Sequence, residues 1–438
     1  MNRILVLGAG LVSKPGVTYL LEHGLPVTVA SRTVSKAEDL VEGYANGTAV
    51  ELNVKDEQRL EELIGEHDII VSLLPWIHHV KVANLCVKHS KHMATTSYVS
   101  EGMQQLDDEV RRRDLLFLNE IGVDPGIDHM SAMKIIHEVH DEGGRIEHFY
   151  SYCGGLPAPE DNDNPFGYKF SWSPRGVVLA SRNSARYLKD GQVVEIPGRD
   201  LFLDIEREEI DGVGHLEVYP NRDSLPYVEL YGLEEAQTVK RGTYRFPGWC
   251  DTFKKLVDLG MIDETPVPGL EGKTYRQMMA GVAGVAPTDD VKAAVARQAN
   301  LTADAPVIQR LEWLGLFSDE PVTADNYLDV LSNRLQEKLY YAEGERDMIV
   351  LRHKFMVANP DGSRDLITST LIDFGIPHGA TSMARTVSLP LAVGVKLMAE
   401  GKIALRGVQR PMDPAVYEPV MAELAKLGIE MVEERKPL

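Results

Sequence analysis

Cysteine is scarce in this chain. Three residues, Cys86, Cys153 and Cys250, are scattered through 438 positions. That is too few and too dispersed for a disulfide framework. Long apolar runs are missing as well, and no stretch approaches the ~20 residues that span a bilayer. The N-terminal segment Arg3-Ile-Leu-Val-Leu7 enters a strand-like run directly, without the basic, apolar and small-residue sections of a secretory leader. These absences lead us to expect a cytoplasmic protein with no membrane association. Basic residues are in the minority, 46 Lys and Arg against 66 Asp and Glu, for a formal charge of −20. Such a balance argues against nucleic acid or an anionic membrane surface as partner. It leaves room for an anionic small molecule held by a few local arginines. His78, His79 and His129 lack a Cys or carboxylate at ligand spacing, so no metal is expected. Repeats and low-complexity segments are also absent.

What the chain does contain is alternation. At 438 residues it is long for one core, and two or three domains are expected. Residues 3–7 read as a buried strand, followed by Gly8-Ala-Gly-Leu-Val-Ser-Lys-Pro15 and a helical pattern that ends at Gly24. Pro15 suits a first helical turn and Gly24 the position just past a helix end. Strand-like runs recur at 27–30, 48–52, 68–74, 93–96 and 115–118, with helical patterns near 35–44, 57–65, 78–89 and 100–110. This succession predicts an α/β doubly wound parallel sheet.

Beyond residue 130 the pattern changes. A helix over 130–140 leads to a strand at 147–152, a polar loop Cys153-Gly-Gly-Leu-Pro-Ala-Pro-Glu160, and strand-like runs at 177–181, 184–187 and 193–197. Asp190-Gly191 is a hairpin signal. Residues 243–342 read as mostly helical, with Leu328, Leu331, Leu335 and Leu339 forming one apolar stripe. A long hairpin follows, 347–358 and 364–374 around Asn359-Pro-Asp-Gly-Ser363, and then an apolar helix over 381–400. The late strands are expected to return to the second sheet and the last helices to cover the first domain.

Gly8-x-Gly10-x-x-Ser13 sits between strand and helix, as a dinucleotide fingerprint requires. The first Gly permits a tight turn, the second admits a pyrophosphate, and small Ser13 replaces the third Gly at the helix–strand contact. The second strand ends Ala30-Ser31-Arg32-Thr33, where a site for NAD would place an acid to hold the ribose 2′-hydroxyl. A hydroxyl and a guanidinium suit a 2′-phosphate instead, which predicts NADP.

The stretch Asn119-Glu-Ile-Gly-Val-Asp-Pro-Gly-Ile-Asp128 packs two Gly, a Pro and three carboxylates into the turn after an apolar strand. Strand ends share one edge of a parallel sheet, so Tyr98 and Asp124 are expected to face the nicotinamide there. Asp124, Cys153 and Tyr98 are the candidate proton-exchanging groups, Asp124 foremost, with Glu120 and Asp128 in supporting roles. Arg222 and Arg245 are the candidate carboxylate clamps. Trp172 can either stack on a ligand or fill a loop core.

Several long motifs make the chain resemble the saccharopine reductase family, the NADP-dependent, L-glutamate-forming saccharopine dehydrogenases. They include Gly8 to Pro15, Thr95-Thr-Ser-Tyr-Val-Ser100, the 119–128 stretch with His129, Ser151 to Glu160, Asn164-Pro-Phe-Gly-Tyr-Lys-Phe-Ser-Trp-Ser173 and Tyr219-Pro-Asn-Arg-Asp-Ser224. Trp313-Leu-Gly-Leu-Phe-Ser318 and Glu343-Gly-Glu-Arg-Asp347 extend the resemblance over essentially the whole chain. It implies a Rossmann domain, 1–128 with 378–438 returning to it; a mixed α/β substrate and dimer domain, 129–242 with 343–377; and a small helical domain, 243–342. The 119–128 stretch then becomes a hinge between cofactor and substrate domains.

The implied reaction joins L-2-aminoadipate 6-semialdehyde to L-glutamate and reduces the imine with NADPH to saccharopine, in a homodimer. By resemblance, NADP contacts fall on Gly8, Ala9, Gly10, Leu11, Ser31, Arg32, Thr33, Asn53, Val54, Ser97, Val123, Asp124, Pro125 and Ser173. Asn53 stands where the family is expected to carry an Asp. Saccharopine contacts fall on Ser97, Tyr98, Asp124, Arg222, Thr243, Tyr244 and Arg245. Two other readings fit the same fingerprint: a carboxyspermidine-type dehydrogenase that joins a diamine to a semialdehyde, and a non-catalytic NADP(H) sensor.

Overall fold

Apolar strands alternating with capped helices build the parallel sheet expected from the N-terminal pattern. The computed structural model describes residues 2–438. Its backbone gathers into two units: one holds the chain through Gly144 with Asn359–Gly362 and Thr368–Lys436, the other Arg145–Ala358, Ser363–Ile367 and Pro437–Leu438.

The first unit contains β1 (Ile4–Leu7), β2 (Val27–Ser31), β3 (Gly47–Glu51), β4 (Ile69–Ser72), β5 (His92–Thr95) and β6 (Leu116–Leu118). A short strand, Gly407–Gln409, adds to the edge, giving the order Gly407–Gln409, β6, β5, β4, β1, β2, β3. Every pairing is parallel. The direction of winding reverses between β1 and β4, and ligands of such sheets lie beyond the strand ends at that point. Leu5, Leu7, Ile70, Met93 and Phe117 pack with Leu60, Ile64 and Val82 of the helices to form one core. Helix Ser382–Ala399 lies against helix Lys14–Glu22. Their approach depends on Gly16, where a Cβ would come within 2.7 Å of the Ser388 carbonyl oxygen.

The first unit runs on past residue 128. Helix Ile127–Asp141 packs beside helix Pro414–Lys426, and His137 Nδ1 meets the Tyr417 hydroxyl at 2.9 Å. The 119–128 stretch therefore lies inside the first unit, and the chain passes to the second at Gly144–Arg145.

The second unit holds β7 (Arg145–Pro157), β8 (Ala185–Lys189), β9 (Gln192–Ile196), β10 (Glu206–Ile210), β11 (Gly214–Pro220), β12 (Thr238–Arg245), β13 (Asp347–Ala358) and the first residues of β14 (Arg364–Phe374). Their order is β10, β11, β12, β7, β13, β14, with β8 beside β12 and β9 beside β8. The sheet is mixed, because β12 and β7 run parallel while β11–β12 and β13–β7 are antiparallel. Asp190 and Gly191 both take positive φ, 50° and 75°, and turn β8 into β9 as their side chains favour. Helices Trp249–Asp258, Tyr275–Ala283, Val291–Gln298, Pro306–Trp313 and Tyr327–Lys338 occupy the span expected to be helical. They fall within the second unit rather than forming a third. The β14 strand also leaves that unit early, since Thr368 onward belongs to the first.

Residues 177–181, expected to be strand, lie in a helix, Pro174–Ala180. Ser173 caps it by accepting from the Gly176 N–H at 3.3 Å, and Pro174 starts the first turn. The cap overrides the β-branched Val177 and Val178. Among the described residues, no helix is long and apolar enough to cross a membrane.

Candidate active site

The glycine-rich loop leaves β1 at the reversal point. Gly8 has φ +117°, and a Cβ there would stand 3.1 Å from the Leu73 carbonyl oxygen. Gly10 has open space around it, and Leu11 is exposed. Ser13, the residue in the third glycine position, is buried and stitches the loop together. Its hydroxyl accepts from the Gly10 N–H at 3.0 Å and donates to the Gly8 carbonyl at 3.2 Å. The Ser13 side chain does not cap the helix that follows; in its first turn Pro15 has no N–H and the Gly16 N–H donates to Ser388 Oγ at 3.0 Å. At the end of β2, Arg32 is exposed and forms no ion pair among the described residues. Asn53 is exposed too, and its side-chain oxygen accepts from the Lys55 N–H at 3.1 Å, shaping the turn after β3. An open second glycine, a helix start just beyond it and an unpaired guanidinium fit a phosphorylated dinucleotide.

Around the 119–128 turn, every residue from 115 to 133 is buried except Asp124. The Tyr98 hydroxyl donates to Asp124 Oδ1 at 3.1 Å. The other two carboxylates of the turn are consumed by structure. Asp128 Oδ1 accepts from the N–H groups of Gly126 and His129 at the start of helix Ile127–Asp141. Glu120 has φ +55° and a buried carboxylate. It meets His129 Nε2 at 2.8 Å and accepts from Arg410 Nε at 2.8 Å and the Val99 N–H at 2.9 Å. Burial alone would raise the proton affinity of this carboxyl. The hydrogen bond and charge of His129, the Arg410 guanidinium and the Val99 N–H outweigh that and bring its pKa down to about 2. The Glu120 N–H also donates to the Ser97 carbonyl at 3.2 Å. Glu120 thus braces the segment that carries Ser97 and Tyr98, while Asp124 is half-buried.

In the second unit, cross-strand register aligns Tyr219 of β11, Thr243 of β12, Cys153 of β7 and Leu351 of β13 in one row. Cys153 and Thr243 are half-buried. Arg245 lies two residues beyond Thr243, hence on the same face. Its guanidinium is buried beside the rings of Tyr168, Trp249 and Tyr219, at 4.9, 5.3 and 5.8 Å from their centroids. Nη1 donates to the Tyr244 carbonyl at 2.8 Å, Nε has no partner, and no carboxylate pairs with the group among the described residues. Glu217, its cross-strand neighbour, instead faces Arg207 at 3.6 Å. A guanidinium stays charged even in such surroundings, so this one keeps a buried positive charge with an unused donor at Nε. Tyr244, expected alongside Thr243 and Arg245, projects from the opposite face, where its hydroxyl donates to Glu208 at 2.6 Å. Arg222 is exposed with φ +54° in the loop after β11. Ser173 caps its helix in this same unit. Trp172 is 36 % exposed, so it does not fill a core.

A family model described as saccharopine dehydrogenase NADP binding domain matches residues 4–117, and one described as saccharopine dehydrogenase C-terminal domain matches residues 122–429. The chain belongs to the saccharopine dehydrogenase family. Saccharopine dehydrogenase [NADP(+), L-glutamate-forming] of Schizosaccharomyces pombe is 43% identical over 445 residues, 99% of each chain. The Saccharomyces cerevisiae protein of the same description is 39% identical over 99% of each. Mitochondrial alpha-aminoadipic semialdehyde synthase of Bos taurus is 38% identical, but the match covers 47% of that longer protein. The solved apo saccharopine dehydrogenase (L-Glu forming) from Saccharomyces cerevisiae superposes with a TM-score of 0.91 at 38% identity over both whole chains.

Within this member of the family, sequence reasoning missed two groups. One is the aromatic surround of Arg245, built from Trp249 nearby in sequence and from Tyr168 and Tyr219, which are remote from it. The other is the Glu120–His129–Arg410 cluster, whose Arg410 follows a strand of three residues, Gly407–Gln409, too short to show a period.

Proposed function

We propose that the chain is an NADP-dependent, L-glutamate-forming saccharopine dehydrogenase, an oxidoreductase of lysine metabolism. It condenses L-2-aminoadipate 6-semialdehyde with L-glutamate, reduces the product to saccharopine, and catalyses the reverse. The observation that carries the reading is the Tyr98–Asp124 pair, in which Asp124 is the one residue of an otherwise buried turn in the cofactor-binding unit that is only half-buried. The glutamate nitrogen adds to the aldehyde carbon, the carbonyl oxygen leaves as water, and the imine carbon receives a hydride while its nitrogen takes a proton. The reduced nicotinamide, when bound, supplies that hydride. Asp124, partnered by the Tyr98 hydroxyl, is assigned the protons that leave and return at nitrogen and oxygen, with Cys153 and Tyr98 as secondary candidates. Arg245 and Arg222 are assigned to substrate carboxylates, of which saccharopine has three. A homodimer in the cytoplasm is part of this proposal.

The reaction is tested by following NADPH oxidation with purified protein, glutamate and the semialdehyde, and again with diamines replacing glutamate. Turnover with diamines and none with glutamate would sink the assignment. NADPH binding without turnover on any pair would favour a sensor.

Two variants probe the ends of the site. Arg32→Ala should weaken NADPH binding roughly 10- to 100-fold, the effect of losing charge-assisted hydrogen bonds worth about 1.5–3 kcal/mol, while leaving NADH binding unchanged. An equal loss for both cofactors would remove Arg32 from the 2′-phosphate. Arg245→Leu keeps the aromatic surround packed and should raise the KM of a carboxylate substrate about 30-fold or more. Unchanged KM values for both substrates would exclude Arg245 from the clamp.

A further inference from the structure

We infer that His79 is a positioning residue: its imidazole donates from Nε2 to the Ser97 hydroxyl and so turns the Ser97 O–H outward, as donor to an acceptor oxygen of a bound ligand. This rests on the reading of Ser97 as a ligand contact in the proposed reaction.

Three segments at the ends of β4 and β5 make the arrangement. Ser72 ends β4, His79 opens helix His79–His89, and Ser97 follows β5. Ser72 and Thr95 are register partners. The Thr95 hydroxyl donates to the Ser72 carbonyl at 2.9 Å and accepts from the Ser97 N–H at 3.3 Å, which locks the two strand ends together. The His79 ring lies across them, with Nδ1 2.9 Å from Ser72 Oγ and Nε2 2.8 Å from Ser97 Oγ. The ring is buried, and that desolvation, helped by nearby His78, lowers its pKa to about 4. At neutral pH it is therefore an uncharged imidazole with one N–H and one bare nitrogen.

Ser72 decides which nitrogen carries the hydrogen. Its side chain is fully buried and meets no hydrogen-bonding group other than His79 among the described residues. If the Ser72 hydroxyl accepted from Nδ1–H, its own O–H would be stranded in the interior. If it donates to Nδ1, only lone pairs go unmet, and a buried unmet donor costs more than a spare lone pair. Ser72 therefore donates, Nδ1 is bare, and Nε2–H points at Ser97. Half-buried Ser97 Oγ has no second partner among the described residues, so its O–H remains for the ligand. The opposite tautomer would consume that hydrogen on His79 and leave Ser97 an acceptor.

Two measurements test this. In ligand-free protein labelled with 15N-histidine, the His79 ring should show a protonated Nε2 and a bare Nδ1 at pH 7, assigned by its loss in His79→Gln. A protonated Nδ1, alone or with Nε2, overturns the inference, whatever the substrate proves to be. The second is a double-substitution cycle. Ser97→Ala should raise one constant about 3- to 10-fold, the range of a single hydrogen bond. A shift in the NADPH Kd identifies the acceptor as the cofactor carboxamide, and a shift in an amino-acid KM identifies a substrate carboxylate. His79→Leu should move the same constant, and the double variant should be no worse than Ser97→Ala alone. Additive losses, or no shift in either constant for Ser97→Ala, also overturn it. Lack of turnover with glutamate and the semialdehyde defeats the proposed reaction alone and leaves the tautomer result standing.

Discussion

Asp124→Ala is expected to lower kcat by about 10²–10⁴-fold, the span of a positioned acid–base group, with a far smaller change in NADPH affinity. Eighteen of the nineteen residues from 115 to 133 are buried, and Asp124 alone is only half-buried. A carboxylate that keeps partial access to solvent in a buried turn, paired with the Tyr98 hydroxyl, is placed to exchange protons. Asp124→Asn should lose nearly as much as Asp124→Ala, because the amide keeps the shape but cannot cycle a proton. Tyr98→Phe should lose less, since it removes a partner of the group rather than the group. Steady-state rates with both amino-acid substrates, beside NADPH titration of the same variants, separate these outcomes. Unchanged turnover in Asp124→Ala would falsify the assignment. A loss that appears wholly in NADPH affinity would make Asp124 a cofactor contact only.

Glu120→Ala is expected to destabilise the first unit by about 3–5 kcal/mol, the cost of breaking a buried ion pair from one side. The carboxylate is enclosed with His129 and Arg410, and removing it strands the Arg410 guanidinium and the Val99 N–H. Denaturant unfolding at pH 7 measures the difference. The pH dependence has a definite sign. The folded-state pKa of Glu120 is depressed to about 2 from an ordinary 4.5. Its contribution is therefore complete above about pH 4.5 and is lost as pH falls through about 2. The gap between wild type and Glu120→Gln should close over that interval. A gap that stays constant between pH 7 and pH 2 would mean that Glu120 does not act as a charged brace. Because the Glu120 carboxylate also holds the Val99 N–H, next to Ser97 and Tyr98, its variants should raise substrate KM as well as lower stability.

Much of the cofactor half was legible in the sequence because its signals are local. Strand periodicity, Gly8, Gly10, Pro15 and Gly24 each report on a few neighbouring backbone angles. They correctly predicted β1 to β6, the helices between them and the loop at the reversal point. Asp190-Gly191 predicted its hairpin for the same reason. The miss at 177–181 was also local: Ser173-Pro174 is a helix start, and the valines after it drew the reading toward strand. β12 was missed for a different reason. Its Thr-Val-Lys-Arg-Gly-Thr-Tyr-Arg sequence looks too polar for a central strand, yet all of it but Thr243 is buried. Lys240 is neutralised by Asp204 and Glu206, and Arg241 donates to the Tyr227 hydroxyl over its ring. Those partners come from elsewhere in the chain, so no window on β12 contains them.

What the sequence by itself determined is the parallel sheet, the dinucleotide loop with its lack of an acid after β2, and the identity of the family. Each rests on residues adjacent in the chain, or on motifs long enough to be specific. The tertiary structure alone decided the roles of the three carboxylates between 119 and 128. Their chemical type is shared, and only burial and partners differ. Glu120 is spent on His129 and Arg410, Asp128 on a helix start, and Asp124 is half-buried beside Tyr98. Proton affinity and access are properties of surroundings, and those surroundings are assembled from segments as distant as Tyr98 and Arg410.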